Sequence, residues 1–181
     1  DAQSAMAFIN RIVSESPNYI KAYLLKSKIL MNNDNKLAEA AKFLKEIDVN
    51  VIAKAESFQK ADYYHMLAII ANRRGLMKEA IQYYEKAVEI NQTDTDAITK
   101  IADFYVQISD STKAMEYYDM ALKIDPKYSA AIIGKTEIYV LLSQKEKIYL
   151  ELAKLDPKTL TNPQLLARVA KIYSSIGDKA K

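Results

Sequence analysis

Cysteine is absent from the 181 residues, so no disulfide framework, thiolate zinc site or cysteine nucleophile can be built. Glycine occurs 3 times and proline 4 times, which leaves little room for hairpin turns and favours long helices. The glycines Gly75, Gly134 and Gly177 lie far apart, so there is no glycine-rich phosphate loop. His65 is the only histidine, and no serine has a histidine and an acid beside it in a recognisable catalytic motif. Tryptophan is missing while tyrosine occurs 13 times, a bias that needs a cause. No apolar run approaches the roughly 20 residues of a membrane span. The net charge of +3 is small and its basic residues are dispersed, which argues against nucleic acid. The sequence opens on Asp1, so an upstream leader is compatible with it; the cytoplasm is the favoured compartment.

What is present is a ruler. EAIQYYEKAVEIN at 79–91 aligns with KAMEYYDMALKID at 113–125, matching Ala80 to Ala114, Tyr84 to Tyr118, Ala87 to Ala121 and Ile90 to Ile124, each 34 apart. Leu67 and Ala68 align with Ile101 and Ala102 at the same interval. Tyr105, Tyr139 and Tyr173 keep it, as do Gly75, Ser109, Ser143 and Gly177. Within each unit the apolar residues recur on one helical face, as at Ala80, Tyr84, Ala87 and Val88. Gly75, or the serine in its place, ends the first helix in a tight turn. Each unit is therefore helix, turn, helix. The alanines let helix axes approach closely, and the tyrosines fill the gaps while keeping a hydroxyl near the wet edge of a thin core.

The remaining segments fall on the same frame. Residues 4–15 are expected to be a second-type helix with Ala5, Ile9 and Ile12 inward. Residues 19–32 and 36–47 form a pair with Tyr23, Leu30, Ala40 and Leu44 inward. This unit carries seven extra residues, placed at 48–60 as a loop and an extended helix start. Residues 129–142 and 145–155 form a pair whose short second helix uses Ile148, Leu152 and Leu155. Asn162 followed by Pro163 is an N-cap and a first-turn proline, so a last helix runs 163–176. The expected units of one helical-repeat domain are 1–19, 20–60, 61–94, 95–128, 129–162 and 163–181.

These residues resemble the tetratricopeptide repeat family. Its small residues correspond to Ala68, Ala80 and Ala87 in one unit and to Ala102, Ala114 and Ala121 in the next, with Pro126 near the unit's end. The usual tryptophan is replaced by Tyr23, Tyr64, Ile98, Ile132 and Leu166, and Lys26 and Lys135 stand at normally apolar places. The resemblance implies an all-α, right-handed superhelical solenoid of antiparallel pairs, about ten helices in all, whose first helices line a concave groove for a peptide or protein partner. Chaperone-tail clamps of this family need a lysine, asparagine and arginine set. Leu24, Lys28, Met66, Asp96 and Lys100 stand there instead, so that role is not expected.

The stripe opposite the core on each first helix is the candidate groove: Leu24, Lys28, Met31, Asp62, His65, Ile69, Asn72, Arg73, Thr99, Asp103, Val106, Ile133, Glu137, Val140, Leu141 and Lys171. Leu24, Met31, Ile69, Val106, Ile133, Val140 and Leu141 are expected outside the core as anchor pockets. Asp103 and Glu137, 34 apart, give an acidic centre flanked by Lys21, Lys28, Arg73, Arg168 and Lys171, and hence a partner with a basic or apolar centre. No assembled catalytic, metal or cofactor site is found, so the expected function is a non-enzymatic interaction scaffold without a cofactor. Its alternative is a self-association module, since Met6, Ile9, Ile12 and Val13 would leave an apolar edge on the first helix.

Overall fold

The computed structural model describes residues 2–158 and 160–177. The last residues of the expected terminal unit, 178–181, lie outside them. Among the described residues the elements are α1 (Ala2–Glu15), α2 (Ile20–Leu30), a 3-10 turn (Asp34–Lys36), α3 (Leu37–Lys45), α4 (Val49–Lys54), α5 (Ser57–Arg73), α6 (Met77–Ile90), α7 (Thr95–Gln107), α8 (Ser111–Ile124), α9 (Ser129–Leu141), α10 (Lys145–Leu152) and α11 (Pro163–Ser175). No strand occurs among them, and none of these helices is long and apolar enough to cross a membrane.

The chain divides into two compact units, Asp1–Gln92 and Thr93–Lys181. In the first, α2 pairs with α3 and α5 with α6, α1 lies on α2, and α5 also packs on α2 and α3. In the second, α7 pairs with α8 and α9 with α10, while α9 also meets α7, α8 and α11.

The recurring alanines explain how the pairs close. Ala68, Ala80 and Ala87 are buried, as are Ala102, Ala114 and Ala121, all at 1% exposure or less. Tyr84 and Tyr118 fill the space beside them at 2% and 1%. The turns follow the ruler too. Gly75, Ser109, Ser143 and Gly177 all have positive φ (74°, 63°, 55° and 81°). At the first of these turns, Leu76 N–H reaches Ala71 O at 2.9 Å and Gly75 N–H reaches Asn72 O at 2.9 Å. Asp110 to Tyr105 and Gln144 to Tyr139 repeat the longer bond at 2.8 and 2.9 Å. This is the double bond of a Schellman stop. Asp94 and Asp110 cap the helices that follow, their carboxylates accepting from Ala97 N–H at 3.0 Å and Lys113 N–H at 3.1 Å.

Three expectations change here. The extra segment contains a helix, α4, none of whose residues is buried. The apolar edge on α1 is largely closed: Ile9 is 3% exposed, Met6 packs on the core below it, and Ile12 and Val13 are half-buried, because α1 lies on α2. Ala5, expected inward, is exposed. The lysines at apolar places are housed by aromatics and acids. Lys26 Nζ lies 3.9 Å from the centre of the Phe43 ring. Lys135 Nζ contacts Asp119 at 2.5 Å and Glu151 at 3.6 Å, with Glu151 itself buried.

Candidate functional site

In the first unit, the stripe residues of α2 and α5 surround one cavity of about 280 Å³. Leu24, Lys28, Met31, Asp62, His65 and Ile69 line it, together with Leu25 and Met66. Its wall is largely aliphatic and thioether, and two methionines make it adaptable. The His65 ring stands edge-on to Tyr84, centres 5.6 Å apart. Arg73 is not part of the wall and is engaged elsewhere: its Nη1 donates to Met31 O at 2.6 Å and its other nitrogens pair with Asp34. That clamp ties the end of α5 to the turn after α2. Asn72, half-buried, serves the turn through its carbonyl and is not part of the cavity wall.

In the second unit, Glu137, Val140 and Leu141 from α9 face Arg168, Lys171, Ile172 and Ser175 from α11 around a cavity of about 310 Å³. Leu141 is 70% exposed at its mouth. Lys171 pairs with no carboxylate among the described residues. Val106, at the end of α7, is half-buried and lies away from this wall.

Two stripe residues are withdrawn from any partner. Ile133 is fully buried, in a cluster with Ile148, Leu152, Leu160 and Ile172, because α9 has α7, α8, α10 and α11 on its sides. Thr99 is 1% exposed on α7, where α8 and α9 pack, and its hydroxyl has no hydrogen-bond partner among the described residues.

The acidic centre is also not a pair of free charges. Arg168 grips Glu137 with both prongs, Nε to Oε1 at 2.9 Å and Nη2 to Oε2 at 2.7 Å. The same Nη2 stands 3.8 Å from Asp103. The Tyr118 hydroxyl donates to Asp103 at 2.6 Å. Burial, then the Asp103 charge, pushes the Tyr118 hydroxyl above the usual tyrosine range. Burial alone would lower the Arg168 guanidinium, but its bond to Glu137 and the two nearby acids outweigh that and hold it above its ordinary value. Tyr128 repeats the theme, with its hydroxyl 3.2 Å from Asp96 and raised by burial and by that carboxylate.

Gly134 makes this chain of contacts fit. A Cβ there would overlap the Tyr118 ring. Sequence reasoning placed Arg168 only as a flanking charge and gave Gly134 no role. The one available signal was a glycine in the middle of an otherwise regular helix, where it costs about 1 kcal/mol relative to alanine and so asks for a packing reason.

The tetratricopeptide repeat family model matches residues 61–94 and 95–128. Those two segments are tetratricopeptide repeats, and the fold of the chain is that of tetratricopeptide-repeat proteins. Three solved structures show the same fold at low identity. A tetratricopeptide repeat protein from Parabacteroides merdae has a TM-score of 0.76 and 16% identity, covering 98% of this chain and 68% of that one. MamA has a TM-score of 0.71 and 19% identity, covering 96% and 92%. YrrB, described as a tetratricopeptide-repeat protein with an unusual peptide-binding site, has a TM-score of 0.68 and 19% identity, covering 94% and 84%. No curated protein matches the sequence.

Proposed function

We propose that this chain is a non-catalytic scaffold that holds a partner polypeptide by seating apolar side chains in these two stripe-lined cavities. The observation that carries the reading is that groove-stripe residues of successive first-type helices converge on a concavity in each unit: Leu24, Met31 and Ile69 in one, Val140 and Leu141 in the other. A cavity of about 300 Å³ is at the small end of ligand-pocket sizes and suits one side chain of a guest helix or strand. Because Arg168 already neutralises Glu137 and approaches Asp103, the apolar version of the partner is favoured over the basic one. The peptide-binding site named for YrrB fits the same reading.

The test is selection of peptides from a display library on the full chain, followed by titration against Ile69→Glu and Leu141→Glu. Each charge placed in an anchor pocket is expected to weaken binding of the selected peptides by about tenfold or more. Peptides that bind both variants as tightly as the parent would show that the guest sits elsewhere.

A further inference from the structure

The two anchor cavities differ in the charge they offer a guest. In the second, the Glu137 carboxylate is already held by Arg168. In the first, an apolar wall of Leu24, Met31, Met66 and Ile69 carries one acid and one base, Asp62 and Lys28, both exposed. Neither pairs with an opposite charge among the described residues.

Two ties fix where these charges stand. At the start of α2, the Lys21 ammonium lies 5.8 Å from the centre of the Phe58 ring, in the first turn of α5. At the other end, Arg73, the last residue of α5, donates to the carbonyl of Met31, the C-cap of α2, at 2.6 Å. The two helices therefore run side by side in the same direction. Asp62 stands about one turn past the first tie, and Lys28 about one turn short of the second. Counted by helical rise from both ties, Lys28 is roughly 8 Å farther along than Asp62, and it stands on the opposite wall. The other charges at the two ends do not line the cavity: Lys21 is drawn to the Phe58 ring and Arg73 to Asp34. The concavity is thus anionic at one end, aliphatic in the middle and cationic at the other.

Charge complementarity selects the guest. The lining matches a segment that presents a base, an apolar anchor and an acid, in that spatial order. In a helix, the residues one turn before and one turn after an anchor share its face and stand about 10 Å apart. In a strand, the same-face neighbours of an anchor stand about 13 Å apart, a poorer fit to the offset of Asp62 and Lys28. Resting on the scaffold reading above, we propose that the first-unit cavity takes a partner helix whose aliphatic anchor has a basic residue one turn away on one side and an acidic residue one turn away on the other. The base meets Asp62 and the acid meets Lys28.

Four helical peptides of one alanine-rich frame test this, titrated into the full chain and followed by NMR shifts at Leu24 and Ile69. Each carries a leucine anchor, and the residues one turn before and after it are Lys and Glu, Gln and Gln, Lys and Lys, or Glu and Glu. The Lys and Glu peptide is expected to bind about fivefold more tightly than the Gln and Gln peptide, the gain from two exposed ion pairs. Lys28→Glu is expected to move the preference to the Lys and Lys peptide, and Asp62→Lys to the Glu and Glu peptide, each by about fivefold. Equal affinity for the Lys and Glu and the Gln and Gln peptides, or a rank order unmoved in folded Lys28→Glu and Asp62→Lys chains, would overturn the charge assignment while leaving the anchor reading intact. Absence of saturable binding by all four peptides, or binding that Ile69→Glu does not weaken, would overturn the anchor reading and this assignment with it.

Discussion

Replacing Gly134 by alanine separates two physical accounts by sign. Gly134 sits inside α9, where helix propensity alone predicts that alanine stabilises by about 1 kcal/mol. The packing predicts the reverse. The added Cβ would overlap the ring of Tyr118, a side chain only 1% exposed, so the ring or the helix must shift. Overpacking of that kind costs about 1–3 kcal/mol. If the ring is displaced, its hydroxyl leaves Asp103, and losing a hydrogen bond to an ionised partner costs about 1.5–3 kcal/mol. Set against the propensity gain, Gly134→Ala is expected to destabilise by about 2–4 kcal/mol. Urea unfolding followed by circular dichroism measures it, with tyrosine emission as a second probe in a protein without tryptophan. The double variant Gly134→Ala, Tyr118→Ala supplies the control. With the ring gone the new methyl has room, and in the Tyr118→Ala background the glycine substitution should become neutral or favourable. The two sites should thus couple by about 3 kcal/mol. A single Gly134→Ala chain as stable as the parent, or more so, would refute the claim that this glycine exists for Tyr118.

Two further outcomes concern turns and titration. Gly75→Ala places a Cβ with no atom within 4 Å yet at φ +74°, and is expected to cost about 1 kcal/mol from backbone strain alone; Ser109→Gly, at φ 63°, should shift the unfolding midpoint the opposite way. The Tyr63 hydroxyl is pushed up to about 12, first by burial and then by neighbouring tyrosines. Its folded value therefore exceeds the unfolded value of about 10, so the stability it contributes is complete below pH ~10 and is lost as pH rises toward ~12. Absorbance titration of tyrosinate should show one late-ionising tyrosine fewer in a Tyr63→Phe chain, with Tyr118 and Tyr128 still ionising late in both.

The fold was legible because its signals are local and repeated. Alanine at 68, 80, 87, 102, 114 and 121 reports close axial approach directly, and Gly75, Ser109, Ser143 and Gly177 report one turn each. Asn162 and Pro163 announced α11, and Asn162 accepts from Gln164 N–H at 2.8 Å. The helix α4 was not legible, since six residues without a buried face carry no period to read. The stripe was legible only as far as geometry on a single helix extends. Counting three and four along α9 cannot tell that its neighbours cover Ile133 while leaving Leu141 open. Charge was the least legible. A sequence gives the sign of Asp103, Glu137 and Arg168, but which of them meet depends on where α11 is seated.

That seating has a consequence for any shortened form of the protein. Arg168 belongs to the final helix, yet it serves acids contributed by two earlier repeats. A chain stopped before Pro163 would keep Asp103 and Glu137 but lose their shared cation, along with the Ile172 side of the neighbouring cavity. Such a fragment would leave Glu137 without its cation and Asp103 with Lys100 alone at 3.8 Å, a more anionic surface than the longer chain presents, so specificity mapped on the fragment would be skewed toward cationic sequences.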